Sequence, residues 1–254
     1  MSPTMDIRAI ATFDLQSEQY ARFRPQYPEA LFNWLGGLVP SRQRAWDCAT
    51  GTGQAALQLS RLFERVDACD INHSQLQVAE VASNIVYQEC AAEQAGYGES
   101  VFDLVTVAQA LHWFDLPRFW SQVARALKPG GIFAAWGYER FHVSAEVDDA
   151  MRFFHAVIEP FWSSSNQLLW NGYRDVGMPF PALDAPSCQI LMDWNLEQLL
   201  GYLHTWSASK LCMQSLGKPV LNDARLRLAR AWGDPAIVRR VRMPLHIIAG
   251  RKPG

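Results

Sequence analysis

The sequence predicts an α/β fold built on a parallel sheet, and three observations point there. Short apolar stretches alternate with helix-patterned ones up to about residue 140; glycine, asparagine and proline mark the joins; and a glycine-rich turn follows the first apolar stretch directly. Residues 44–49 form the first expected strand and 55–63 a helix with Ala56, Leu59, Ser60 and Phe63 on one face. Residues 66–71 form the second strand, after which Asn72 can cap a helix carrying Leu76, Val78, Ala79 and Ala82. Strands follow at 85–90 and 102–108. A helix over 116–127 has Pro117 in its first turn and Phe119, Trp120, Val123, Ala124 and Leu127 at helical spacing. Lys128-Pro129-Gly130-Gly131 stops that helix, and 132–136 is the fifth strand.

Beyond Tyr138 the rhythm changes. Helices are expected at 145–158, 196–211 and 222–232, a sixth strand at 190–194 and a last strand at 245–249. The expected organisation is a single domain over 1–254: a cap over 1–40, a ligand-binding core over 41–140, a lid insertion over 141–185, and a C-terminal part with further helices over 186–254.

Composition narrows the function classes. The chain has 254 residues, 49% hydrophobic, enough for a full core; its 23 basic and 25 acidic residues leave a formal charge of −2. That balance argues against nucleic acid or an anionic bilayer as partner, and the late arginines (225, 227, 230, 239, 240, 242) are expected on a solvated face. No apolar run approaches the roughly 18–20 residues that cross a bilayer, and the start, with Asp6 and Arg8, has no signal-like core, so a cytoplasmic protein is expected. Five scattered cysteines read as reduced thiols, and the six histidines lack metal-ligand spacing, so no metal is expected. Without a Gly-x-Ser-x-Gly turn, acyl-transfer hydrolysis has little support.

The run from Asp47 through Gly51 and Gly53 to Ala56 joins the first strand to the first helix. Glycines at such a turn let the backbone bend sharply and approach a ligand, and an acid closing the second strand, here Asp70, can accept two hydrogen bonds from a ribose diol. Asp67 is assigned to solvent. Gly51-x-Gly53-x-x-Ala56 also satisfies a dinucleotide pattern, which would make the protein an NAD-dependent oxidoreductase. Asp47 is the discriminator: a carboxylate ahead of the glycines opposes a pyrophosphate and suits an ammonium or sulfonium, both present in S-adenosylmethionine.

Asp47 to Gly53, Asp70, Phe102 to Val105, Ala110-Leu111-His112-Trp113 and Leu127 to Gly131 together resemble the class I S-adenosylmethionine-dependent methyltransferases. The closest likeness is to the type 11 small-molecule group, including trans-aconitate methyltransferase-like proteins; residues 23–28 and 204–207 share weaker features with it. The resemblance implies a Rossmann-like three-layer sandwich whose seven-stranded, mostly parallel sheet ends in an antiparallel strand. It implies that Asp47, Gly51 and Gly53 line the methionine half, that Asp70, followed by Ile71, takes the ribose, that Ala92 and Glu93 bracket the adenine, and that Ala108 and Gln109 run beneath the methionine. Tyr20 is placed at the methionine end by the same pattern.

Methyl transfer from a sulfonium is an in-line displacement that orientation alone can largely drive. His112, just past the fourth strand, is the catalytic candidate, as base or substrate contact; the alternative is a structural histidine hydrogen-bonded under the lid. Arg24 can hold the cofactor carboxylate or an acidic acceptor. Trp113, Trp136 and Tyr138 are candidate walls, and His155, Trp170 and Trp206 lead the candidates for the acceptor pocket, with Phe161, Trp162, Tyr173 and Lys210 beside them. The expected function is transfer of a methyl group to oxygen or nitrogen of a small metabolite, with a heteroaromatic or a carboxylic acid as candidate acceptors; a non-catalytic S-adenosylmethionine-binding protein is the further alternative. Monomer and homodimer are both open.

Overall fold

The computed structural model describes residues 25–254. Its order is α1 (Glu29–Leu38), β1 (Arg44–Cys48), α2 (Gln54–Ser60), β2 (Arg65–Asp70), α3 (His73–Gln77), β3 (Ile85–Glu89), β4 (Phe102–Ala108), α4 (Leu116–Ala126) and β5 (Leu127–Gly137). There follow α5 (Ala145–Ile158), α6 (Asn166–Trp170), β6 (Gln189–Trp194), α7 (Leu196–Thr205), α8 (Ser207–Leu216), α9 (Asn222–Trp232), β7 (Arg239–Pro244) and β8 (His246–Arg251). The main sheet runs β3-β2-β1-β4-β5-β8, with β1 to β5 parallel and β8 antiparallel to β5. This is the Rossmann-like sandwich that was expected. The strand order reverses between β1 and β4, which opens a crevice at their carboxyl ends.

The strands carry apolar residues on both faces, as a covered parallel sheet requires. Ile132, Ala134 and Trp136 face the layer of α1 and α2, where Leu31, Phe32, Leu35, Ala56 and Leu59 are buried. Phe133 and Ala135 face the opposite layer, where α4 buries Phe119, Trp120, Val123 and Ala126. Asp115 caps α4 by accepting from the N–H of Arg118, and Pro117 occupies the first turn.

Among the described residues the sheet has six strands, where seven are expected. Residues 190–194 do form a strand, but β6 pairs antiparallel with β7 in a separate two-stranded ribbon. The reason is patterning: β7 alternates buried Val241 and Met243 with exposed Arg240 and Arg242, the signature of a half-buried ribbon. Lys128 to Gly131 is also part of β5, where a register shift between Phe102 and Leu104 absorbs the extra residues. The single helix expected over 196–211 is two, because Trp206 takes an extended conformation between α7 and α8. Asp67, expected in solvent, is buried between Arg44 and Arg65, with Nε of Arg44 at 2.6 Å.

A second apolar cluster joins α5, α7, α8, α9 and the β6–β7 ribbon through Val147, Phe154, Leu199, Leu203, Leu228 and Val241. Leu169, Tyr173, Val176 and Phe180, from the stretch between its elements, pack instead on the main core. The accessory layer is thereby tied to the sheet beside the ends of β4 and β5.

Candidate active site

Two places meet at the carboxyl edge of the sheet. The first is the corner after β1 and β2. Gly51 and Gly53 both have left-handed φ, +59° and +81°, a conformation costly for other residues. A Cβ on Gly53 would collide with the Tyr87 hydroxyl, so this close approach is to the protein's own chain. The Asp70 carboxylate accepts from the N–H of Gly51 and from the N–H of Asn72, each at 2.8 Å. Burial raises its pKa, against the pull of those donors. Asn72 caps α3 through its side-chain oxygen, accepting from Gln75 at 3.0 Å, while its Nδ2 is buried without a partner among the described residues.

Asp47 is turned inward. Its two oxygens accept from the hydroxyls of Thr50, at 2.6 Å, and Thr106, at 2.8 Å, and burial pushes its pKa to about 6 against those bonds. The sequence reading aimed this charge at a ligand; the structure spends it on pinning the glycine loop to β4. Ile71 is half-buried at the strand end, Ala92 is buried, and Glu93 in the same turn accepts from the N–H of Asp115 at 3.0 Å. Ala108 and Gln109 close β4; Gln109 has a φ of +60° and its carboxamide bridges the N–H and C=O of Tyr138, both at 3.1 Å. Tyr20 and Arg24 lie outside the described residues.

The second place is a cavity of about 680 Å³ between the ends of β4 and β5 and the accessory layer. Gln109, His112, Trp113, Tyr138, His155, Trp170 and Trp206 all line it, so five separate stretches of chain converge there. Trp162 completes the aromatic wall, with its ring 6.0 Å from that of Trp170 and 5.8 Å from that of Trp206. Trp136 does not take part. Strand alternation sends its side chain to the opposite face, where it is fully buried against Tyr27 and Phe32. Phe161 and Lys210 are likewise absent from the lining.

His112 is 6% exposed, and its Nδ1 lies 3.2 Å from the hydroxyl of Tyr173. Burial drives the imidazole pKa down to about 3, so the ring is neutral near pH 7. His155 is held down to about 4, chiefly by burial and then by Arg140. Burial raises the Tyr173 phenol in the opposite direction. The two histidines His112 and His155 that line the cavity are therefore neutral near pH 7. Of the charged residues in the lining, Glu139 pairs with Arg140 at 2.8 Å, Asp148 with His142 at 3.3 Å, and Arg152 with Asp149 outside the lining, while Glu159 is exposed.

Sequence reasoning passed over Tyr202, Met151 and Asn166. Tyr202 and Met151 lie on the buried faces of α7 and α5, where pattern does not separate a lining residue from a core one. Asn166 is 5% exposed and its Oδ1 has no partner among the described residues, a fact invisible to pattern because the residue simply opens a short helix in an aromatic loop.

A buried strand-end acid bonded to a glycine turn, next to an aromatic cavity at the switch in strand order, is the arrangement on which the comparisons bear. The family profile described as "Methyltransferase domain" matches residues 46–135. A solved methyltransferase of Anaeromyxobacter dehalogenans is 40% identical, with a TM-score of 0.84 over 91% of this chain and 99% of that one. The chain belongs to the S-adenosylmethionine-dependent methyltransferases. This membership sets aside the nicotinamide reading that the glycine spacing alone permitted. A methyltransferase of Dictyostelium discoideum is 26% identical over 93% of both chains. The fold alone is shared with a Haemonchus contortus phosphoethanolamine N-methyltransferase solved with S-adenosylhomocysteine, 18% identical with a TM-score of 0.51, covering 95% of this chain and 58% of that one. No helix among the described residues is long and apolar enough to cross a membrane.

Proposed function

We propose that this methyltransferase moves a methyl group from S-adenosylmethionine to an oxygen or nitrogen of a small, flat, largely neutral molecule held against the tryptophan wall. The observation that carries this reading is the cavity lining: Trp113, Trp162, Trp170 and Trp206 around neutral His112, His155, Gln109 and Asn166. Aromatic walls favour planar ligands, and a lining whose histidines are neutral disfavours burying a lone carboxylate. Among the described residues, the arginines in the lining are Arg140 and Arg152, both exposed, with side chains 73% and 76% accessible. A phenol or ring-nitrogen heterocycle therefore fits better than the tricarboxylate of the trans-aconitate-like subgroup.

The corner fits the cofactor. Asp70 accepts one backbone N–H on each oxygen and keeps lone pairs for a ribose diol. The unclaimed Nδ2 of Asn72 beside it is a donor awaiting an acceptor atom. When bound, S-adenosylmethionine supplies an activated sulfonium methyl. Asp70 would hold the ribose; Ile71, Ala92 and Glu93 would flank the adenine; Gly51, Gly53, Ala108 and Gln109 would border the methionine half, with Asp47 acting through the loop. Tyr20 and Arg24 are proposed at the same end. His112, Trp113, Tyr138, His155, Trp170 and Trp206 would orient the acceptor, and the wall would exclude water, which is the main work in-line transfer asks of a protein.

Calorimetric titration with S-adenosylhomocysteine and with NAD, followed by incubation with radiolabelled methyl donor and a panel of phenols, ring-nitrogen heterocycles and di- and tricarboxylates, tests the reading. Saturable binding of S-adenosylhomocysteine alone, with label passing to the phenol or heterocycle arm, is expected. Label passing only to carboxylates would overturn the acceptor assignment, and NAD binding without S-adenosylhomocysteine binding would overturn the cofactor.

A further inference from the structure

The Tyr173 hydroxyl has a single hydrogen-bond partner among the described residues, Nδ1 of His112. Both side chains are buried, at 1% and 6% exposure, so neither end of this contact is shared with bulk water. The contact can be made in two senses. If Nδ1 carried the proton and donated to the phenol oxygen, the phenol proton would be left buried without an acceptor. If the phenol donates to a bare Nδ1, both groups are satisfied by one bond, and the remaining imidazole proton sits on Nε2. Among the described residues, no carboxylate is hydrogen-bonded to His112 to favour the first sense.

We infer that Tyr173 is a positioning residue that fixes His112 as the Nε2–H tautomer, so that His112 enters the cavity as a hydrogen-bond donor and not as the base. The neutral state of the ring is consistent with its apolar bed, since Trp113 lies 4.8 Å away ring to ring. A donor aimed at the nucleophilic atom would withdraw electron density from it and slow the displacement. The atom held by His112 is therefore a lone-pair atom beside the one that is methylated, such as a carbonyl, ether or pyridine-type centre. Asn166, on the same cavity, complements it: its unpaired Oδ1 takes an N–H or O–H, reached by rotation about a soft terminal torsion. The substrate class that follows is a planar molecule with an acceptor and a donor flanking its reactive oxygen or nitrogen. This last step rests on the methyl-transfer reading of the cavity, whereas the tautomer does not.

The tautomer is measured directly by long-range ¹H–¹⁵N correlation on full-length protein labelled at its six histidines, with His112 assigned by the signals that vanish in His112→Gln. The wild type is expected to show His112 purely as Nε2–H at neutral pH, and Tyr173→Phe to show a mixture of tautomers. An Nδ1–H ring, an imidazolium or a mixture already present in the wild type overturns the inference, as does an unchanged pure tautomer in Tyr173→Phe. Should that variant fail to fold, replacement of tyrosine by 3-fluorotyrosine, a stronger donor, is expected to shift the His112 Nδ1 resonance; no shift overturns the role given to Tyr173. Titration of the same samples with S-adenosylhomocysteine reports on the methyl-transfer reading separately.

Discussion

The N–H of Gly51 donates to Oδ2 of Asp70 at 2.8 Å, so the turn after β1 and the acid that closes β2 form one hydrogen-bonded corner. Removing the carboxylate therefore has two effects: it frees the loop and deletes the ribose acceptor. Asp70→Ala is expected to weaken S-adenosylhomocysteine binding by about tenfold or more, measured by calorimetry. Asp70→Asn should not rescue, because its amide N–H₂ would face a backbone N–H donor. Affinity retained in both variants would remove Asp70 from the cofactor site.

Gly53 combines a φ of +81° with a Cβ position already occupied by the Tyr87 hydroxyl. Gly53→Ala should cost about 1–3 kcal/mol, seen as a lower Tm by differential scanning calorimetry. Adding Tyr87→Phe removes the colliding oxygen and should recover part of that loss, while the backbone strain persists. Complete recovery would show that φ contributes nothing.

The alternation of apolar and helix-patterned stretches made β1 to β5 readable, because each strand is covered on both faces and its sequence says so. The same logic failed at residues 190–194. One apolar strand reads alike whether it joins the main sheet or pairs elsewhere, and its partner, β7, hid among arginines. Within the site, Asp47 and Trp136 show where the pattern runs out. Sequence places Asp47 ahead of the glycines but cannot say that Thr106, 59 positions away, will claim one of its oxygens. Trp136 sits at the right height on β5, yet one step of pleat decides which face it joins. Five separate stretches converge on the cavity through tertiary contacts of the accessory layer, and local periodicity carries no record of that.

Buried histidines and buried acids act in opposite senses on stability. His112, His155 and His204 have pKa values lowered chiefly by burial, the first two to about 3 and about 4. Between their unfolded value near 6.5 and those folded values, the unfolded chain binds more protons, so the stability present above pH 6.5 is lost as pH falls. Asp47, raised to about 6, and Asp70, raised in the same direction, bind protons preferentially in the folded state and offset part of this below pH 6. Three groups against two predicts a Tm that falls from pH 7 to pH 5. His155→Gln removes one of the three and should flatten the slope; a Tm that rises on acidification would contradict the assignment.

Asn166 offers a test in which stability and function move apart. Its Oδ1 is buried with no partner among the described residues, a state that costs about 1–3 kcal/mol unless a ligand relieves it. Leucine has nearly the same shape without the polar atoms. Asn166→Leu is therefore expected to raise Tm by about 2–4 °C and leave S-adenosylhomocysteine affinity unchanged, since the residue lines the cavity and not the glycine corner. Turnover of whichever acceptor the methyl-donor panel identifies should fall, mainly through a higher KM, because the lost contact holds the ground state and transition state alike. A lower Tm with unchanged turnover would mean that the carboxamide serves the fold, and the recognition role given to it would be withdrawn.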